Sequence, residues 1–361
     1  MSGEAFLTSL GLATPEASLT QQNASAHAEA IMAAADLDRG RAIRALYRRS
    51  GVERRGSVLL TNGDSLESYF PAERGGGPTT GDRITRYRAH AGRLAERAAT
   101  AAISGAAIDP GSITHIVTAS CTGFDAPGVD HHVIASLGLS ADVRRTHIGF
   151  MGCHAAINAL AVASAFAREN EHHRVLVCCV ELCSLHFSYD SDPEASVANA
   201  LFADGAAAAV VASQRVAPMN PRIAGFSSTV LPDSADLMKW SIGDHGFVMR
   251  LSPSVPDRLA ERVPHWVDRF LSGHDLDAGE VRSWAVHPGG PRVLTAVSDA
   301  MGLSSDASQA SREVLARHGN MSSATVLFII EKMLRTRTDQ RLPLVAMAFG
   351  PGLSGEAMLL T

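Results

Sequence analysis

The sequence predicts an α/β protein whose strands are buried under helices, and three observations point there. Short apolar runs of β character recur along the chain, longer stretches with helical spacing separate them, and many of the connections are short and rich in glycine. At 361 residues the chain has room for two domains or one duplicated fold, and a scaffold held together by disulfides or metal is excluded on size.

Taken in order, a helix is expected over 87–103, then a strand over 113–119 (ITHIVTA), and a second helix over Ala155–Glu169. Two strands follow, at 174–181 (RVLVCCVE) and 206–212 (AAAAVVA). A helix over 256–271 leads to a strand at 281–286 (VRSWAV), and a helix over 322–334 to a last strand at 344–349 (LVAMAF). Between a finished strand and a new one, residues 216–222 (VAPMNPR) carry two prolines, which places a boundary between halves 1–215 and 216–361. Each half has an apolar strand running into a reactive-looking polar residue and a Gly-rich turn before a hairpin-like ending, a pattern compatible with internal duplication. Residues 75–78 (GGGP) with 79–82 read as an exposed loop.

A net charge of −5, with 46% hydrophobic and 19% charged residues, is the composition of an ordinary globular protein and argues against a general nucleic-acid binder. All basic residues except Lys239 and Lys332 are Arg, so an anion site here must be built largely from guanidinium groups. The five cysteines (Cys121, Cys153, Cys178, Cys179 and Cys183) are odd in number and lack zinc-type spacing, which points to a reducing compartment and a cytoplasmic address. The N-terminus has no basic stretch before its short apolar run, so a secretory leader is not expected, and no run reaches the length of a membrane span. No metal-ligand cluster is apparent, and no metal is expected.

Three windows carry chemistry. In THIGFMGCHAAINAL (146–160) a strand-like approach ends at Gly152 and small residues after Cys153 open a helix. A thiol at such a corner meets the helix dipole and free N–H groups, which favour its thiolate and a developing oxyanion. A core cysteine among small residues fits the same window equally well. In WAVHPGGPR (284–292), His287 stands where a strand meets a Pro-Gly-Gly turn, a place that exposes an imidazole at a sheet end and sets it apart from His90, His131, His132, His172 and His173. In HGNMSSATVLF (318–328), Asn320 precedes a helix and fits a turn or cap, or an amide donor to a thioester carbonyl. Together Cys, His and Asn can accept an acyl group, share a proton and hold a carbonyl.

Six motifs in order and spacing resemble the type III polyketide synthases, the chalcone and stilbene synthase-like enzymes, in a bacterial form. They are CTGFDAPGVD (121–130), GCHAAINAL (152–160), ANALFADGAAAAVV (198–211), HPGGPRVL (287–294), GNMSSATVLF (319–328) and AFGPGLSGE (348–356). The resemblance spans nearly the whole chain. It implies a thiolase fold of five layers, αβαβα, with two similar halves, and a homodimer whose active sites touch the partner near Ala126, with Pro127 as the loop proline near the dimer interface. It implies an acyltransferase that loads an acyl-CoA starter on Cys153 and extends it by decarboxylative Claisen condensation with malonyl-CoA. His287 and Asn320 would hold the malonyl thioester carbonyl, and His287 would keep Cys153 ionised. Phe202 would be the aromatic gate between the coenzyme A tunnel and the cavity. Phe349 and Pro351 lie in the loop that shapes the cavity, with Ser322 beside them. Coenzyme A thioesters are substrates, and no cofactor is implied.

The chain departs from plant members at three places. His154 follows the nucleophile where they have an apolar residue, Ala348 replaces the first glycine of GFGPG, and Trp240 falls on a cavity-floor glycine. Trp240 should therefore reduce or redirect the cavity, whose wall it would share with His186 and Met249. Cys121 and Cys183 replace threonines and resemble bacterial members that make tetrahydroxynaphthalene or alkylpyrones, or they are small core residues. The expected product is a pyrone, resorcinol, phloroglucinol or naphthol-type ring. Coenzyme A phosphates would meet the basic stretch 38–55, with Arg49 aligned best and Arg44 and Arg48 beside it; a solvated basic helix face fits that stretch as well. Two rivals are a fatty-acid-initiating ketoacyl synthase, disfavoured by HPGGP and GNMSSA, and a catalytically silent thiolase-fold partner, disfavoured by the intact Cys153, His287, Asn320 and Phe202.

Overall fold

A computed structural model of the chain describes residues 3–34, 40–60, 77–189, 192–335 and 341–361. The first half contains β1 (Phe6–Ala13), β2 (Ser18–Thr20), α1 (Gln21–Ala34), α2 (Gly40–Arg49), β3 (Arg54–Gly56), α3 (Thr80–Ala106) and β4 (His115–Ser120). It continues through α4 (Val129–Leu137), β5 (Arg144–Gly149), α5 (Ala155–Glu169), β6 (Arg174–Leu182), α6 (Pro193–Leu201) and β7 (Asp204–Ala212). The second half contains β8 (Ile223–Val230), β9 (Met238–Gly243), β10 (Gly246–Leu251), α7 (Val255–Ser272), β11 (Ser283–Val286) and α8 (Pro291–Ala300). It ends with α9 (Gln309–His318), α10 (Thr325–Arg335), β12 (Leu344–Gly350) and β13 (Ser354–Leu360).

Every strand and helix read from the sequence is present, with ends shifted by three residues or fewer except in α3, which begins seven residues before the expected start at 87. The helix expected over 322–334 opens as a short 3-10 turn, Ser322–Ala324, before α10. The loop expected over 75–82 differs. Residues 75–76 lie outside the described residues, and Thr79 caps α3, its hydroxyl accepting from the Asp82 N–H while Asp82 accepts from the Thr79 N–H. That reciprocal pair satisfies two N–H groups which the start of a helix leaves open.

The first sheet has the order β1-β7-β6-β4-β5 and the second β11-β12-β13-β8. Read from β1 and from β8, the two sheets begin alike: two antiparallel neighbours, then an antiparallel pair, then a parallel one. Only β5 lacks a counterpart.

Period-two alternation assigns each strand's side chains to two cores. On β6, Val175, Val177 and Cys179 join α5 and α10 in the core between the sheets, while Leu176, Cys178 and Val180 face α3. On β12, Leu344, Ala346 and Ala348 face the shared core, whereas Val345, Met347 and Phe349 face α7 and α8. Burial on both faces explains why the strands read as unbroken apolar runs. The layers are α3 and α4, the first sheet, α5 with α10, the second sheet, and α7 with α8. Truncating a side chain such as Leu176 to Ala in a core this dense costs about 2–5 kcal/mol. Among the described residues no helix is long and apolar enough to cross a membrane.

Candidate active site

Cys153 stands one residue before His154, the N-cap of α5, after a sharp turn in which Phe150 and Gly152 have positive φ, 60° and 86°. A Cβ on Gly152 would lie 2.3 Å from Pro351 Cδ, so the turn needs glycine for space as well as for its backbone angle. The Gly152 N–H donates to Cys121 Sγ (3.0 Å), which ties the corner to the end of β4.

Cys153 is 7% exposed. Burial pushes its thiol up to about 12, more than the neighbouring polar side chains of Ser322 and Asn320 pull it down, and Glu181 adds to the rise. The expected low pKa from the helix dipole is therefore not found: desolvation of a thiolate exceeds what a helix terminus returns. His287, expected to be exposed, is 1% exposed. Its backbone N–H donates to Met347 O (2.8 Å), fixing it at the end of β11, and among the described residues neither ring nitrogen has a partner. Burial pushes its pKa down to about 3, and His154 nearby acts in the same direction. Burial thus disfavours charge on both the imidazole and the thiol of the ligand-free site.

Asn320 is clamped from both sides. Its N–H donates to Leu201 O and its carbonyl accepts from Ala203 N (both 2.9 Å), so it lies alongside Phe202 as an isolated bridge. Its side-chain Oδ1 accepts from Ser322 N (2.8 Å), the turn expected of an Asn here, and this leaves the amide nitrogen to face Cys153.

The cavity beside Cys153 has a volume of about 100 Å³. It is lined by Phe202, Cys121, Cys183, His186, Trp240, Met249, Ser322 and Pro351, all expected there. Phe349 is not among them: it is 3% exposed within the outer core of the second half, where alternation along β12 turns it away from Ala348. Trp240 and Met249 are register partners on β9 and β10. The Trp240 indole Nε1–H donates to Cys121 O (2.7 Å), and its ring meets His186 and Phe247 edge-on. His186 Nε2 donates to Thr122 O (2.7 Å) and Nδ1 accepts from Phe247 N (3.0 Å); burial holds its pKa down at about 3.

Of the basic residues expected to meet coenzyme A, Arg44 pairs with Glu29 and Arg48 is exposed on α2; Arg39, at the edge of the cluster, lies outside the described residues. Arg49 lines a second, mostly apolar channel with Arg292, between α2, α6 and the start of α8. Arg292 was overlooked although it sits inside the HPGGPR motif. Glu181 was also overlooked. It is fully buried at the end of β6, accepting from Cys121 N (3.0 Å), Thr122 Oγ1 (2.8 Å) and Ser323 Oγ, and burial raises its pKa to about 7. Its signal was an acid closing an otherwise apolar strand. His154 Nδ1 contacts Asn158 Oδ1 (2.7 Å) and Nε2 contacts Ser354 Oγ (2.8 Å), while Ser354 Oγ donates to Pro351 O (2.8 Å), so His154 braces the loop that carries a cavity wall.

Residues 1–215 match the family model for the N-terminal domain of chalcone and stilbene synthases, and residues 223–361 match that for the C-terminal domain. The chain is 31% identical over 363 aligned residues to the alpha-pyrone synthesis polyketide synthase-like Pks18 of Mycobacterium tuberculosis, covering 98% of this chain and 90% of that protein. It is 35% identical over 272 residues to the 1,3,6,8-tetrahydroxynaphthalene synthase of Streptomyces peucetius, covering 74% and 72% of the two chains. Among solved structures it superimposes on PKS-I of the brown alga Ectocarpus siliculosus with a TM-score of 0.92 at 28% identity, over 100% of this chain and 98% of that one. The layered architecture is thus the thiolase fold of these enzymes. The chain belongs to the chalcone and stilbene synthase family and is a type III polyketide synthase, an acyltransferase.

Proposed function

We propose that Cys153 carries the growing chain, that His287 and Asn320 hold the malonyl thioester, and that an acyl-CoA starter and malonyl-CoA are joined here into a cyclised pyrone, resorcinol, phloroglucinol or naphthol-type product. The observation that carries this reading is His287: a fully buried imidazole with both nitrogens unpartnered is costly unless a ligand completes it. In the first step the Cys153 sulfur attacks the starter thioester as its proton passes to neutral His287. The C–S bond to coenzyme A breaks, and the departing thiolate takes that proton. Malonyl-CoA then loses CO2, and its carbonyl oxygen, now an enolate oxygen, is held by N–H donors of His287 and Asn320 in a site closed to bulk water. The enolate carbon attacks the Cys153 thioester and the thiolate departs, ready for the chain's return.

Coenzyme A fits the channel bearing Arg49 and Arg292, whose guanidinium groups suit its phosphates, with Arg48 close by and Arg44 engaged by Glu29. Phe202, which lines the cavity, is in this reading the aromatic gate between the coenzyme A channel and the cavity. The reading includes a homodimer, a cytoplasmic address and no cofactor beyond the thioester substrates. Product analysis of Cys153→Ala tests it. This variant should make no condensed product from any starter while still releasing CO2 from malonyl-CoA, and His287→Ala and Asn320→Ala should each lower that release by about 10²–10³-fold. Normal product from Cys153→Ala would overturn it.

A further inference from the structure

His154 joins two parts of the site that lie 200 residues apart in the chain. It follows Cys153 in the first half, and its ring reaches the turn between β12 and β13 in the second half, where Pro351 lines the cavity. The residue is 2% exposed and its ring packs on the backbone of Gly350, where a Cβ would lie 2.5 Å from His154 Cδ2. Glycine at 350 therefore makes room for the imidazole. The outer side of the turn is held within the second half: Leu231 N–H donates to Leu353 O (2.9 Å) and Ser234 Oγ donates to Gly352 O (3.2 Å). On the inner side, His154 supplies a polar link to the first half. Ser354 has one hydroxyl hydrogen. When that hydrogen goes to Pro351 O (2.8 Å), the oxygen can only accept from His154, so Nε2 carries a hydrogen (2.8 Å) and Nδ1 of the neutral ring accepts. A half-turn of the Asn158 amide puts its N–H2 group at Nδ1, 2.7 Å away, and every bond from Asn158 through His154 and Ser354 to Pro351 then has a donor and an acceptor. Burial holds His154 below its usual pKa, which favours this neutral relay. Because His154 is bonded to Cys153, the relay ties the cavity wall at Pro351 to the residue that bears the sulfur.

We propose that His154 is a positioning residue for the condensation: through Ser354 it fixes the Pro351 wall against Cys153 and so sets how the bound chain lies when it is extended and cyclised. The inference rests on the role given to Cys153 above. The test measures condensed product and CO2 from malonyl-CoA with acetyl-CoA and with hexanoyl-CoA, in the full-length enzyme and in His154→Phe, His154→Gln and Ser354→Ala. His154→Phe keeps a ring without its hydrogen bonds, and the ratio of condensed product to CO2 released should fall about tenfold or more. Decarboxylation is assigned to His287 and Asn320, so a mere loss of folded enzyme lowers both quantities alike and leaves the ratio unmoved. His154→Gln, whose amide N–H can take the place of Nε2–H, should return the ratio to within about threefold of wild type. Ser354→Ala is a small change at a half-buried position and tests the relay even if His154→Phe fails to fold. It should lower the ratio as His154→Phe does, and the variant carrying both changes should fall no further. An unchanged ratio in folded Ser354→Ala, or losses that multiply in the double variant, would overturn the proposal. The two readings fail differently: a constant ratio with Cys153→Ala inactive removes the role of His154 and leaves the nucleophile in place, whereas condensed product from Cys153→Ala removes the assignment of the nucleophile.

Discussion

The indole of Trp240 donates its N–H to the carbonyl of Cys121, a bond of 2.7 Å that closes one side of the cavity beside Cys153. Trp240→Gly removes a large side chain and leaves that carbonyl without its partner. The variant should give longer or differently cyclised products, seen by mass spectrometry of reactions with one starter. It should also lose some stability, less than the roughly 3–5 kcal/mol of a fully buried tryptophan because Trp240 is only partly buried. An unchanged product profile would mean that the ring does not limit the chain.

Gly152 sits at φ 86° against Pro351. Gly152→Ala should cost on the order of 1–3 kcal/mol through backbone strain alone. The displaced Pro351 loop should also lower kcat, because the same turn presents Cys153. Thermal melting and steady-state kinetics of the purified variant check both.

Reactivity of the ligand-free thiol follows its burial. With Cys153 pushed up to about 12 and His287 held neutral, the rate of alkylation by iodoacetamide should climb about tenfold per pH unit between pH 7 and 9. A plateau reached near pH 6 would instead reveal a resting thiolate–imidazolium pair. Cys178, also pushed up to about 12 but fully enclosed, should stay unmodified in the folded protein.

The buried Glu181 ties stability to pH. Its pKa is about 7 in the folded chain against 4.5 when free, so between these values the folded state binds more protons than the unfolded one. Stability from this group is complete below pH 4.5 and is lost as pH rises through 7, a loss on the order of 3 kcal/mol. His186 and His287, held neutral, act in the opposite direction: their contributions are full above pH 6.5 and are lost on acidification towards pH 3. Urea unfolding of wild type and Glu181→Gln from pH 4.5 to 8 separates them, because the variant should gain on the wild type steadily as pH rises. Parallel curves would mean that Glu181 is ionised throughout.

Much of this was legible before folding. The strands were visible because both faces are buried, leaving no polar alternation to blur them, and the cavity residues followed from spaced motifs. What escaped depends on partners distant in sequence. Phe349 was taken for a cavity residue because its loop neighbour Pro351 is one, yet strand alternation sends its ring into the outer core. Arg44 stands among basic residues, but Glu29 claims it. The thiol's high pKa reflects desolvation by the surrounding core, which a local motif does not encode.

The matching sheets also set what an activity assay reports. Each half has its own sheet and outer helices, with one shared inner layer of α5 and α10 as the joint. The sulfur enters from one half, and the imidazole and amide enter from the other. A small slip along that joint leaves helix and strand content intact while parting the three groups. Turnover should therefore act as a gauge of the seam between the halves, falling in mild denaturant before circular dichroism registers any change.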